Sequence, residues 1–267
     1  MVLSGLVSQE TFGSKPIIRM RDLQLSYGSG AKQRTVLEGL DLDIHAGEFV
    51  CVLGPSGCGK SSLLKLIAGY ERVTGGEAII NGEELRGPST EIGVVFQQAS
   101  LFPWLTIEKN VAFSLKMKGV PRTFRKRIAR ELLATVGLVE AAGLLPHQLS
   151  GGMKQRAAIA RTLAAEPKLM LMDEPFGALD SITRQSLQEQ LRLLWTQTNK
   201  TIFFITHDVD EAIYLGSRII VMNGKPGKIT LDVNNPLSRK TSDAENYRSL
   251  KGYNELRNRL LQSLKKE

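Results

Sequence analysis

Eight residues, Gly54-Pro55-Ser56-Gly57-Cys58-Gly59-Lys60-Ser61, fit the phosphate-binding pattern G-x-x-x-x-G-K-[ST]. An apolar run, Phe49-Val50-Cys51-Val52-Leu53, precedes them, and a helical pattern, Ser61 to Ala68, follows. This setting restricts the fold more than any other feature, because a buried strand must deliver the loop and a helix must leave it. The glycines let successive backbone N–H groups turn inward around a β-phosphate. Lys60 supplies a point charge for the β/γ oxygens, and the Ser61 hydroxyl can ligate Mg²⁺. The helix aims its positive end at the same phosphates. The pattern points to a nucleoside triphosphate as ligand.

A chain of 267 residues, 42% of them apolar and 23% charged, is long enough for one substantial α/β core or a core with an inserted subdomain. No stretch approaches the roughly 18 uninterrupted apolar residues of a membrane span, and the first residues lack a secretory pattern. The chain is therefore expected neither to cross a membrane nor to be secreted. Its two cysteines, Cys51 in the predicted strand and Cys58 in the phosphate loop, do not suit a structural disulfide, as a reducing cytosol would require. The net charge is +8, and from Arg239 onward eight Lys and Arg face four Asp and Glu. A second basic run, Arg122, Arg125, Lys126, Arg127 and Arg130, reads as the solvated face of a helix.

Segments 17–27 and 36–44 alternate apolar and polar residues, as half-exposed strands do, with Asp41 and Asp43 on the outer side. A short strand at Ala78-Ile79-Ile80 precedes an Asn81-Gly82 hairpin signal, and a further strand covers Ile92 to Phe96. From Ile107 the period becomes helical. Thr106 is placed to cap a helix from Ile107 to Met117, and Ile128, Leu132 and Val136 form one stripe of a helix spanning Phe124 to Val136. Two continuous apolar runs, Lys168 to Met172 and Thr201 to Ile205, read as buried parallel strands around a helix from Ile182 to Gln197. The expected organisation is an N-terminal extension at 1–16, a nucleotide-binding domain at 17–234 with a helical subdomain at about 97–163, and a basic helical tail at 235–267.

Two further constellations carry chemistry. Asp173 ends an apolar strand and Glu174 follows it, so near a phosphate loop the first can hold Mg²⁺ through water and the second can polarise an attacking water. Alone, Asp173-Glu174-Pro175 would equally be a solvated strand-end turn. Leu149-Ser150-Gly151-Gly152-Met153-Lys154-Gln155-Arg156 combines a good N-cap with two glycines and an alanine-rich helix. It is a second helix start built to accept an anion.

Together these residues resemble the ATP-binding cassette (ABC) proteins. Gly54–Ser61, Leu149–Arg156 and Leu171–Pro175 are similar to the family's Walker A, signature and Walker B motifs. Phe96-Gln97, Gly177-Ala178-Leu179-Asp180 and Ile205-Thr206-His207-Asp208 follow the family's order. The resemblance implies an α/β P-loop NTPase core with an antiparallel β-subdomain and an inserted α-helical subdomain. It implies a head-to-tail homodimer in which Ser150, Gly151 and Gly152 of one subunit close on ATP held by the other. By the same carry-over, Tyr27 stacks on adenine, and Gly54, Pro55, Ser56, Gly57, Cys58, Gly59, Lys60, Ser61 and Ser62 hold the phosphates. Ser61 and Gln97 ligate Mg²⁺, with Asp173 contacting it through water. Glu174 is the general base, His207 contacts the γ-phosphate and holds the water, and Asp180 links the two sites.

Within the family, Gly87-Pro88, Leu101-Phe102-Pro103-Trp104 and Gly224-Lys225-Pro226-Gly227 resemble importer subunits for taurine, alkanesulfonate or nitrate. That implies a peripheral protein on the cytoplasmic face of the inner membrane, permease subunits as partners, and a periplasmic or lipid-anchored solute-binding protein further out. A non-transport ABC ATPase acting on nucleic acid or ribosomes is the alternative. It usually carries a long coiled coil or a second cassette, which this sequence does not, so no nucleic-acid partner is expected. A phosphoryl-transfer kinase would leave Leu149–Arg156 unexplained. Phe102 and Trp104 either present a partner site or pack the helical subdomain's own core.

Overall fold

The two alternating segments pair with each other. In the computed structural model, β1 (Ile18–Tyr27) and β2 (Arg34–Ile44) run antiparallel, with Ile18 opposite Ile44. The structure describes residues 15–177, 179–238 and 247–265. Most of the expected N-terminal extension, Ala178, and residues 239–246 and 266–267 of the expected tail lie outside the described residues. Met20, Leu23, Leu25, Leu37, Leu40 and Leu42 are buried, and Asp41 faces solvent. Asp43 is not simply outward: it is half buried, because Arg21 donates to it at 2.6 Å. On the other side of β1 lies β4 (Gly75–Ile80), which turns through Asn81-Gly82, both at positive φ, into β5 (Glu83–Glu84).

The continuous apolar runs build a second sheet. Its strands are β3 (Phe49–Leu53), β6 (Ile92–Val95), β7 (Leu169–Asp173), β8 (Thr201–Ile205), β9 (Arg218–Asn223) and β10 (Lys228–Asn234), in the order β10-β9-β3-β8-β7-β6. All neighbours are parallel except β10, which returns antiparallel to β9. The runs are apolar without alternation because both faces are covered. Phe49, Cys51, Met170, Met172, Ile202 and Phe204 pack with residues of α6 (Ser181–Thr198), α7 (Val209–Leu215) and α8 (Tyr253–Leu264). Their neighbours Val50, Val52, Leu169, Leu171, Phe203 and Ile205 pack with α1 (Lys60–Ile67) and the inner face of the first sheet. Burying each such side chain contributes about 1.5–3 kcal/mol. The central sheet is thereby held from both sides, which fixes the carboxyl ends of its strands.

Between β6 and β7 the chain forms α2 (Ile107–Val111), α3 (Phe113–Met117), α4 (Arg122–Thr135) and α5 (Gly151–Ala164). These helices share a third core made of Ile107, Val111, Leu115, Ala129, Leu133, Ala157 and Ala160. The expected single helix from Ile107 to Met117 is two, meeting at Ala112, whose ψ of −3° departs from helical geometry. Ile107, Val111 and Leu115 still face one core across the break. In and just after α4 the most buried line is Ala129, Leu133 and Val136, so of the expected stripe Val136 is in the core while Ile128 and Leu132 lie at its margin.

Candidate active site

The loop after β3 owes its shape to glycine. Gly57 and Gly59 have φ of 84° and 94°, and a Cβ on Gly59 would lie 2.6 Å from Leu37 Cδ2. At both positions the conformation disfavours a larger residue, and at Gly59 the space excludes one too. Lys60 opens α1 nearly buried, and its Nζ donates to the carbonyls of Gly54 and Pro55 at 2.7 and 2.9 Å. The cation is thus folded over the loop, where phosphate oxygens would be stronger acceptors than carbonyls. Burial pushes the Cys58 thiol up, so this residue packs rather than reacts, and both cysteines are free.

Two strands away, β7 ends in Asp173. The Ser61 hydroxyl donates to Asp173 Oδ1 at 3.1 Å. Burial pushes the Asp173 carboxyl up; Glu174 adds to this, and the Ser61 hydrogen bond opposes it. A desolvated carboxylate of this kind gains from a nearby cation. Among the described residues, no group of three or more His, Cys, Asp or Glu gathers to hold a metal ion. The donors here fit Mg²⁺ instead, which takes one or two protein oxygens together with phosphates and water.

Glu174 has the left-handed φ of 44°, and its N–H is tied to Ile205 O at 3.0 Å. Gly177 closes the turn by donating to Glu174 O at 3.1 Å. His207 Nδ1 lies 3.4 Å from Glu174 Oε2. Gln97 Nε2 and Glu174 Oε2 both lie 3.9 Å from the point where a Cβ on Gly177 would stand. Lys60, Ser61, Gln97, Asp173, Glu174 and His207 thus converge at the carboxyl ends of adjacent parallel strands, where open α/β sheets bind ligands.

The segment around His207 is anchored by its motif neighbours Thr206 and Asp208 and by two residues outside the motif, Gln188 and Glu211. Thr206, just before it, hydrogen-bonds the buried Glu211, which also accepts from Gln188 Nε2 at 2.8 Å. Burial pushes the Glu211 carboxyl up. Asp208 caps α7 by accepting from the N–H groups of Asp210 and Glu211 at 2.8 and 3.1 Å. The three-residue spacing from Asp208 to Glu211 is the visible trace of a helix start in the sequence.

The second anion cradle stands elsewhere. Ser150 caps α5, its hydroxyl accepting from Met153 N at 3.3 Å. A Cβ on Gly152 would meet Thr183 and Leu179, at 3.2 and 3.3 Å, and one on Gly151 would meet nothing within 4 Å. Asp180 caps the adjacent helix α6, accepting from Thr183 N at 2.9 Å, and that bond holds its carboxyl below the usual range. Ser150, Gly151, Gly152 and Asp180 therefore belong to one open edge, and neither glycine touches the phosphate loop of its own chain. Tyr27 ends β1, partly exposed, with its hydroxyl near Ser62 at the start of α1 and Glu71 beyond that helix's end.

The loop at 101–104 divides between the two readings left open. Trp104 is 74% exposed, whereas Phe102 is half buried, with its ring 4.5 Å from Phe113. The wholly buried Asn110 organises the loop. Its amide donates to the carbonyls of Phe102, Leu105 and Thr106, and it accepts from Phe102 N at 2.8 Å.

Comparison with known proteins places this geometry. The family profile described as ABC transporter matches residues 37–177. An uncharacterized ABC transporter ATP-binding protein of Methanocaldococcus jannaschii is 43% identical over 252 residues, covering 93% of this chain and 94% of its own. A taurine import ATP-binding protein of Pseudomonas aeruginosa is 44% identical, covering 86% and 87%. Among solved structures, a dimeric ATP-binding cassette in a post-hydrolysis state with ADP and Pi has a TM-score of 0.72 at 34% identity. That match covers 81% of this chain and 98% of the other.

Proposed function

This chain belongs to the ABC transporter family and is an ATPase subunit of a transporter; from that premise we propose that it energises uptake of a small anionic solute of the taurine, sulfonate or nitrate class through a separate membrane permease. The taurine import names among its relatives, at 44–46% identity, support the solute class. No helix among the described residues is long and apolar enough to cross a membrane. In this reading a separate permease provides the path, with this subunit peripheral on the cytoplasmic side and a solute-binding protein delivering the solute from outside. Loss of the subunit should abolish uptake of labelled taurine, an alkanesulfonate or nitrate, and a plasmid copy should restore it. Unchanged uptake of all three refutes the solute class.

In this reading the phosphates of ATP lie in the loop 54–59, drawing Lys60 Nζ away from its two carbonyl partners. Ser62 receives the phosphates at the start of α1, and Tyr27 stacks on the base. Ser61 and Gln97 would hold Mg²⁺, with Asp173 reaching it through water, and the bound ion would neutralise charge on the phosphates. Glu174 accepts a proton from water, and His207, 3.4 Å away, orients the same water and the terminal phosphate. That contact, beside the Ser61–Asp173 bond, is the observation that carries the assignment. Ser150, Gly151 and Gly152 of a second copy complete each site, with Asp180 between the sites, so that two-fold symmetry makes two whole sites from four halves. Hydrolysis then opens the dimer and passes motion to the permease.

A further inference from the structure

The phosphate loop has a second lysine beside it. β9 flanks β3 on the side away from β8, and beyond it Gly224-Lys225-Pro226-Gly227 leads into β10. This turn is clamped to the loop. Met222 O lies 2.3 Å from where a Cβ on Gly54 would stand, and Cys58 O lies 1.9 Å from that point on Gly227. Gly227 also donates its N–H to Val36 O at 2.8 Å. Two backbones approach so closely that only glycine fits, and the turn cannot drift from the loop without breaking that contact.

From this fixed base Lys225 extends along the loop. Its Cε and Nζ lie 3.4 and 3.7 Å from the Cβ position of Gly57. The residue is exposed and, among the described residues, has no ion pair or hydrogen bond, whereas Lys228 on the next strand is paired with Glu38 at 3.0 Å. An uncommitted cation held beside a phosphate loop contributes attraction wherever a phosphate sits. Its side of the loop is informative. Asp173, Glu174 and His207 follow β7 and β8, on one flank of β3, and Lys225 follows β9 on the other.

We propose that Lys225 is a second phosphate-binding lysine, acting on the α/β-phosphate end of the nucleotide from the flank opposite the hydrolytic groups. The proposal rests on the reading that ATP occupies the loop 54–61. It predicts equal loss of ADP and ATP affinity when the charge is removed, because both nucleotides share the α- and β-phosphates.

The test is calorimetric binding of ADP and ATP to the full chain, as wild type, Lys225→Met and Lys225→Arg, at low and high salt, with melting temperatures alongside. Lys225→Met should weaken both nucleotides about 3–10-fold at low salt, the typical range for a partly screened charge-assisted contact. The loss should shrink at high salt, and arginine should restore affinity. Unchanged ADP affinity in the methionine variant overturns the proposal. So does a loss confined to ATP, or a salt-independent loss with a lowered melting temperature that arginine does not rescue. Failure of the wild type to bind ATP would instead sink the reading on which the proposal rests.

Discussion

Glu174 holds a backbone conformation that residues with a side chain seldom adopt, and that costs on the order of 1–3 kcal/mol unless neighbours impose it. Ile205 and Gly177 impose it, through the two backbone hydrogen bonds that fix the turn. The result is a carboxylate aimed at His207 from the end of a rigid strand. Replacing it by the isosteric amide, Glu174→Gln, should preserve ATP binding and lower turnover by at least about 10²-fold, because the amide cannot accept the proton. Near-normal steady-state hydrolysis by this variant would remove Glu174 from the role. Asp173 makes a prediction of opposite sign. Burial raises its folded-state pKa, so at neutral pH its ionised form costs stability. Asp173→Asn should therefore raise the melting temperature of the nucleotide-free protein at pH 7, at roughly 2–4 °C per kcal/mol for a chain of this size. The gain should fade as pH drops through the raised pKa toward the ordinary carboxylate value, where the wild-type carboxyl is protonated too. Hydrolysis should meanwhile be lost. A lowered melting temperature at pH 7 would contradict the burial account. At this scale the motif residues were legible because phosphate chemistry dictates both type and spacing. The bond from Gln188 to Glu211 was not, since it joins residues 23 apart in the sequence with no fixed spacing.

Elements were legible where a local rule decides them. Ser150 and Thr106 have the residue types of helix caps, and each accepts the third N–H of its helix. The apolar runs at 49–53 and 201–205 became strands with the bounds expected. The break at Ala112 carries no glycine or proline, so nothing in the sequence announces it. The loop at 101–104 was ambiguous for a similar reason: aromatic residues suit a core and an interface equally, and only the Asn110 hydrogen bonds decide which ring turns inward. The outcome separates two neighbours. Phe102→Ala should destabilise the isolated subunit by about 1–3 kcal/mol, less than a fully buried Phe because this one is half exposed. Trp104→Ala, at a site 74% exposed, should change stability by no more than about 0.5 kcal/mol and leave hydrolysis intact. If Trp104 anchors the permease, as interfacial tryptophans do, the same variant should co-purify poorly with it. Normal co-purification would free this loop from that role.

For the whole molecule, the decisive fact is that one chain carries two glycine-rich helix starts that do not meet. The phosphate loop lies at the ends of β3, β7 and β8, and Gly151 and Gly152 open onto another edge, beside the start of α6. A second copy related by two-fold symmetry would bring them together, and one of the solved structures that match this fold is a dimer with ADP and Pi. If two copies share each working site, one mixing experiment will reveal it. Both partners carry Glu174→Gln so that ATP is held and not turned over; one adds Lys60→Ala and the other Ser150→Arg. Each alone has both of its composite sites damaged and should stay monomeric with ATP on gel filtration. Mixed, they form a heterodimer with one site damaged twice and one intact, so ATP should drive association in the mixture only. Equal behaviour of the mixture and the separate proteins, with no ATP-dependent dimer at concentrations where Glu174→Gln alone dimerises, would contradict the shared site.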